Sequence, residues 1–267
     1  MPYVYKYQPI SDNTRDSLRN RYLYFAKPSQ LNDPFDCRAR VYWEGTFEEK
    51  RTWLASRGFD AAPNASTLLN YPGRMPMTAF PASLIEKSND VMSILSLART
   101  AASVQMWSHY AKNHTGLCLQ IEVLNVDGDD GLRFMEHNFI KRSSPRHPKG
   151  FLKFAPVAYK DDLPDPINFL TADALAFGTF VFTKHTDWAY ERELRIMIYD
   201  TLTNRSQKIS YGGNFIKGVV FGEKASPDSI KEIIDISRSS LGPSVKYYKA
   251  SKSEEKYEMV FEELSGI

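Results

Sequence analysis

Between Phe182 and Tyr199 the chain gathers many side chains able to do acid–base and electrostatic chemistry: Lys184, His185, Asp187, Trp188, Tyr190, Glu191, Glu193 and Arg195. The end of this stretch alternates. Leu194, Ile196 and Ile198 fall on one face of an extended strand and Glu191, Glu193 and Arg195 on the other, because successive strand side chains point to opposite sides. A strand with one buried face would then hold two carboxylates and a guanidinium in a row. Paired carboxylates suit proton transfer and stabilisation of a cationic transition state. The same pattern equally suits a strand whose polar face is salt-bridged, Glu193 to Arg195 or to a neighbour. The residues leave both readings open.

A second polar group lies in Lys27-Pro28-Ser29-Gln30-Leu31-Asn32-Asp33-Pro34-Phe35-Asp36. Two prolines stop regular structure, and Asn and Asp bond their own backbone in turns. This is either a rigid turn whose polar residues serve the backbone, or a loop held stiff so that Asn32, Asp33 or Asp36 faces a ligand. A third group is Met106-Trp107-Ser108-His109-Tyr110-Ala111. On a helix Trp107 and Tyr110 share a face, while His109 lies well round from Trp107, so His109 and His114 need not serve one site. The expectation is that the Asn32–Asp36 cluster lies close to Glu191 or Glu193, and that Trp107 lines the same cleft or the core beneath it.

The elements that must position these groups read as an α+β protein with a mixed, largely antiparallel sheet, packed helices and a single domain. Strands are expected at Tyr3–Tyr7, Tyr22–Ala26, Arg38–Trp43, Met92–Leu97, Leu117–Glu122, Phe151–Tyr159, Gln207–Tyr211, Phe215–Phe221, Ser244–Ala250 and Lys256–Phe261. Helices are expected from Ser11 or Asp12 to Asn20, Thr46 to Arg57, Ser83 to Asp90, from Ser103 with a stop at Gly116, from Pro166 to Phe177, and after Ser226-Pro227. Gly212-Gly213-Asn214 reads as a hairpin turn. Residues 58–81, rich in Ala, Asn, Pro and Gly, read as an insertion or lid.

Composition bounds the function. A chain of 267 residues, 42% hydrophobic, can build a sizeable core, and a net charge of +2 gives no global drive toward nucleic acid or an anionic membrane. The cysteines, Cys37 and Cys118, form no Cys-x-x-Cys pair, against a structural zinc site or disulfide framework. The start of the chain lacks a signal-peptide pattern, and no apolar run approaches membrane-span length, so a soluble cytoplasmic protein with no membrane partner is expected. Dinucleotide-fold, P-loop and zinc-protease motifs are missing from the sequence, and the oligomeric state is not legible.

Several segments, in order, resemble the bacterial domain of unknown function 2971 family. They are Tyr5-Lys6-Tyr7; Leu23-Tyr24-Phe25 through Asn32-Asp33-Pro34-Phe35-Asp36; Met106 to Ala111 with His114 and Gly116-Leu117-Cys118; Lys184, Trp188 to Glu193 and Arg195; and Gly218-Val219-Val220-Phe221-Gly222. That family carries no settled biochemistry. Glu191-Arg192-Glu193 also resembles the late Glu-x-Glu motif of ADP-ribosyltransferases, with Lys6 standing where those enzymes have an early His or Arg. This second resemblance implies an enzyme acting at a nucleotide C1′ glycosidic bond, with NAD as a candidate substrate. Glu193 would stabilise an oxocarbenium-like transition state and Glu191 would orient or deprotonate the acceptor. Trp107, Tyr110 or Trp188 would stack the base, and Arg195 and Lys184 would hold phosphates. Lys6, Asn32, Asp33, Asp36 and His109 complete the expected substrate-binding set. A nucleotide- or nucleic-acid-binding module using the same face without reaction stays open, as does a metal-dependent nuclease with Asp36, Glu191 and Glu193 as ligands. No strict metal-ligand spacing supports the last.

Overall fold

A computed structural model describes residues 1–38, 40–56, 65–76, 91–172 and 174–264. Its organising element is an eight-stranded sheet. The strands are β1 (Tyr3–Gln8), β2 (Met92–Ala98), β3 (Leu117–Glu122), β4 (Ala155–Pro156), β5 (Glu193–Tyr199), β6 (Ile216–Phe221), β7 (Lys246–Lys252) and β8 (Met259–Glu263). Their spatial order is β4-β5-β2-β1-β3-β6-β7-β8. All neighbours in it are antiparallel except β6 and β7. That parallel pair needs a crossover, supplied by the helix Pro227–Leu241. Ser226 caps this helix by accepting from the Ser229 N–H at 3.2 Å, and Pro227 opens its first turn. The protein is therefore α+β with a mixed, mainly antiparallel sheet.

Alternation divides the sheet into a core face and a face that carries the polar side chains Glu193 and Arg195 of β5. Leu194, Ile196 and Ile198 of β5 join Leu95, Leu97, Leu119, Ile121 and Val219 in the main core. The helices Asp12–Arg19 and Pro227–Leu241 pack together, and Arg15 reaches Glu232 at 2.8 Å. The opposite face carries two smaller apolar clusters. One holds Tyr7, Ala98, Trp107, Cys118 and Val220. The other holds Cys37, Met92, Ile94 and Val181.

Several elements depart from the sequence expectations. Gly212-Gly213-Asn214 is not a hairpin: Lys208–Ser210 pairs with Tyr22–Tyr24, while β6 pairs with β3 and β7. The Phe215 N–H does bond the Gly212 carbonyl at 3.2 Å, so the turn exists, but its two arms join different sheets. The helix expected over Pro166–Phe177 is instead a short strand at Ile167–Asn168 and a helix at Ala174–Val181. The helix Val104–Tyr110 ends well before Gly116, because Lys112, Asn113 and His114 all take left-handed backbone angles. Gly116 is needed for a different reason: a Cβ there would sit 2.3 Å from the Gln8 carbonyl oxygen on β1. The helix expected over Ser83–Asp90, and half of the segment 58–81, lie outside the described residues; the described part of that segment, 65–76, forms a helix at Ala65–Asn70 and a short strand at Met75–Pro76.

β1 and β2 diverge, and this positions the site. Their register contains only Tyr5 opposite Ala98. Beyond it β2 bridges to Ala26 through Ile94, and a wedge opens between the two strands.

Candidate functional site

A cleft of about 360 Å³ enters this wedge. Tyr5, Tyr7, Tyr24, Tyr110, Leu31 and Met106 supply its aromatic and apolar walls, and Lys6, Asn32, Asp36, Lys184, Glu191, Glu193 and Arg195 its polar ones.

Glu193 and Arg195 stand side by side on β5, as alternation requires. Glu191 does not share their strand. Residues Thr186–Glu191 form a 3-10 turn, and Arg192 adopts a left-handed conformation at φ 45° and ψ 48° that breaks the alternation. The strand therefore begins at Glu193, and Glu191 approaches the same cleft from a different backbone direction. The 3-10 turn also carries Trp188, whose ring centroid lies 4.6 Å from Lys184 Nζ.

Arg195 is the hub. Its Nε and one terminal nitrogen donate to Glu193 Oε1 and Oε2 at 2.7 and 2.9 Å. The terminal nitrogens also donate to Asp36 Oδ1 and Oδ2 at 2.7 and 2.5 Å, and to the Val181 carbonyl at 2.5 Å. All five guanidinium N–H groups thus have an oxygen acceptor, the fork geometry that lets arginine be buried. Asp36 reaches Arg195 because the loop before it is folded on itself. Asp33 Oδ1 accepts from the Phe35 N–H at 2.9 Å, the Asp36 N–H bonds the Asp33 carbonyl at 3.1 Å, and Cys37 then takes φ 55°.

Lys184 closes the network. Its Nζ lies 2.6 Å from Glu191 Oε2, 3.6 Å from Glu193 Oε2 and 3.7 Å from Asp36 Oδ2. Tyr110 donates a short hydrogen bond to Glu191 and lies 3.4 Å from Asn32 Oδ1. The Glu193 N–H donates to the Tyr159 hydroxyl at 2.8 Å, a contact with no signal in the sequence. Burial raises the Tyr159 hydroxyl to about 12.

The two glutamates are driven apart electrostatically. Burial pushes the Glu191 carboxyl above the ordinary glutamate range, against the opposing pull of Lys184 and Tyr110. Glu193 is buried too, yet Arg195 and then Lys184 outweigh that burial and hold it below the range. Charge counting agrees. Asp36, Glu191 and Glu193 are three carboxylates against the two cations Lys184 and Arg195. The neighbouring Glu193 charge adds to burial in raising the Glu191 carboxyl.

The cleft brings together Lys6, Asn32, Asp36, Tyr110, Lys184, Glu191, Glu193 and Arg195 from the expected set. Asp33 and Trp188 line a second cleft of about 400 Å³, for which Lys184 is a shared wall. Trp107 lines neither. It is fully buried, donates to the Ala101 carbonyl at 2.7 Å, and meets Tyr7 edge-on at 5.2 Å between centroids. It supports the cleft wall from beneath and has no face free to stack a base. His109 is exposed against the Tyr190 ring, 5.7 Å between centroids, outside both clefts. Tyr5, Tyr7 and Tyr24 were not among the expected site residues, since aromatic residues in strands ordinarily read as core.

Among the described residues no set of three His, Cys, Asp or Glu side chains is arranged to hold a metal ion. Asp36, Glu191 and Glu193 are turned to Lys184 and Arg195 instead. No helix among those residues is long and apolar enough to cross a membrane.

The fold and site thus define an α+β protein with a buried acid–base network at the mouth of a tyrosine-lined wedge. Residues 106–196 match the family described as protein of unknown function (DUF2971), the family that the sequence resembles. The matched stretch holds Tyr110, Lys184, Glu191, Glu193 and Arg195, and leaves Lys6 and Asp36 outside. No curated protein and no solved structure matches the chain.

Proposed function

We propose that the cleft is an active site acting at the C1′ glycosidic bond of a nucleotide, in the manner of ADP-ribosyl transfer, with NAD as the candidate substrate. The observation that carries this reading is the split between Glu191 and Glu193. One fold holds two neighbouring carboxyls, one pushed above the ordinary glutamate range by burial and the other held below it by Arg195 against its own burial. Pairs of titratable groups pushed apart in this way mark acid and base assignments. Glu193 supplies fixed negative charge for an oxocarbenium-like centre, and Glu191 handles the proton of the leaving group or acceptor. Tyr5, Tyr24 and Tyr110 offer aromatic surface for a base or ribose ring.

A binding module without reaction has one observation in its favour. Arg195 engages both oxygens of Glu193 and so restrains it from acting as a nucleophile. An electrostatic role for Glu193 tolerates that engagement, whereas covalent attack does not.

The test is a thermal-shift screen of the full chain with NAD, ADP-ribose, nucleoside monophosphates and nucleosides. A ligand at about 100 times its Kd stabilises the native state by roughly 2.7 kcal/mol. A rise in melting temperature with NAD or ADP-ribose supports the reading. No rise with any nucleotide at millimolar concentration overturns it.

A further inference from the structure

The cleft holds two lysines in opposite electrostatic situations. Lys184 has the carboxyl groups of Asp36, Glu191 and Glu193 within 3.7 Å of its Nζ. Lys6 has no ion pair among the described residues. Its Nζ makes one hydrogen bond, to the Ser96 carbonyl at 3.0 Å, across the wedge where β1 and β2 part. A main-chain carbonyl can accept from either an ammonium or a neutral amine, and it supplies no full negative charge. Burial lowers the affinity of Lys6 for its proton, with Glu193 and then Cys118 opposing it. A lowered affinity for the proton raises the share of free amine, whose lone pair is what attacks a carbonyl.

A second observation in the same wall points to a ligand. Gln8, two residues along β1, also lines the cleft, and its Oε1 is buried with no protein hydrogen-bond partner. An acceptor left in that state is costly unless a donor reaches it. Hydroxyl groups on a small ligand would do so, with the rings of Tyr5, Tyr24 and Tyr110 close by to cover the ligand's carbon face.

We propose that Lys6 is an imine-forming lysine and that the cleft accepts the open-chain aldehyde of a hydroxylated, sugar-like molecule. The Lys6 nitrogen attacks the carbonyl carbon, and the carbonyl π pair moves to oxygen, which takes a proton. The resulting carbinolamine loses water to leave a C=N bond, and no oxidant or reductant is consumed. Glu191, which lines the same cleft and whose carboxyl burial pushes above the ordinary glutamate range, is the acid available to assist departure of that water. The proposal needs only the amine and the cleft, and does not rest on the nucleotide reading.

The experiment is reductive trapping. The full chain is incubated with ribose 5-phosphate and sodium cyanoborohydride, and the adduct on each lysine is measured by peptide mass spectrometry from pH 6 to pH 9. Exposed Lys112 and Lys256 serve as internal references. An ordinary lysine near pKa 10.4 gains roughly tenfold in amine per pH unit over this range. The expected result is that Lys6 is labelled at least about tenfold faster than either reference at pH 7, with a flatter dependence on pH. Lys6→Arg should abolish that adduct alone, and the wild-type comparison stands even if the variant folds poorly. Labelling of Lys6 no faster than Lys112 and Lys256, or a tenfold rise per pH unit at Lys6, overturns the proposal. Failure here with a positive nucleotide screen would discard the imine and leave the glycosidic reading intact. The reverse pair of results would discard only the latter.

Discussion

Arg195 holds both oxygens of Glu193, at 2.7 and 2.9 Å, and leaves Glu191 to Lys184 and Tyr110. Arg195 also engages both oxygens of Asp36, so a single guanidinium faces two buried carboxylates. Removing one partner of such a pair strands the other charge in a poorly solvated place. Arg195→Met is therefore expected to cost about 3–5 kcal/mol of unfolding free energy. Arg51→Ala, which breaks an exposed pair with Glu48 at 2.7 Å, should cost under about 1 kcal/mol. Urea denaturation of both variants checks the contrast, and similar losses would show that the Arg195 cluster is not uncompensated once broken.

The two glutamates should give opposite pH signatures. The folded value of Glu191 is raised, so its contribution to stability is fully present below the ordinary glutamate range and is lost as pH rises through the folded value. Glu193 is depressed, so its contribution is present above the ordinary range and is lost as pH falls through its folded value. In Glu191→Gln the titrating group is gone, while Lys184 keeps Asp36 and Glu193 within 3.7 Å. Wild type should therefore lose stability relative to Glu191→Gln as pH rises above about 4, with a slope of at most about 1.4 kcal/mol per pH unit. Denaturation curves of the two proteins from acid to neutral pH read the difference directly. A constant difference would mean that Glu191 titrates as an ordinary glutamate.

Tyr110→Phe removes the hydroxyl between Glu191 and Asn32 and nothing else. The bond to Glu191 favours its ionised form, so losing it should raise the carboxyl further. The pH dependence described for Glu191 should move to higher pH, with a stability cost of about 1–2 kcal/mol. Asn32 is exposed, and Asn32→Ala should leave both properties nearly unchanged. The same denaturation series, run on the two variants, decides it.

Trp107 separates support from contact. Trp107→Ala should cost about 3–5 kcal/mol through the cavity it leaves and the unpaired Ala101 carbonyl. Trp107→Phe should retain ligand binding within about threefold, because the indole has no surface in the cleft. A tenfold loss of affinity in a folded Trp107→Phe protein, measured by titration calorimetry with whichever ligand the screen identifies, would contradict the placement.

The legible parts of this fold are those that local physics fixes alone. Alternation at Leu194, Ile196 and Ile198 gave the buried face of β5, and Ser226-Pro227 gave the start of the longest helix. The polar loop at Asn32–Asp36 announced itself through its prolines and Asx residues. What stayed hidden depends on long-range partners or on backbone exceptions. Nothing in Arg192 announces a left-handed residue, yet that conformation separates Glu191 from the strand and gives it different neighbours from Glu193. Gly212-Gly213 does make a turn, but which strands its arms join is decided by Tyr22–Tyr24 and β3, far away in the chain. Tyr5 and Tyr7 flank Lys6 and look like ordinary strand aromatics. Only the parting of β1 from β2 turns that segment into a cleft wall, and a single sequence carries no sign of it.

The most direct measurement is release of nicotinamide from NAD by the full chain, followed by chromatography at saturating NAD for wild type, Glu191→Gln and Glu193→Gln, with each variant's melting curve and NAD affinity recorded alongside. The prediction is release by wild type, and a loss of about a hundredfold or more in each variant that still folds and binds. No release by a wild-type protein that binds NAD, or equal rates in all three proteins, would contradict the assignment of this cleft to C1′ chemistry.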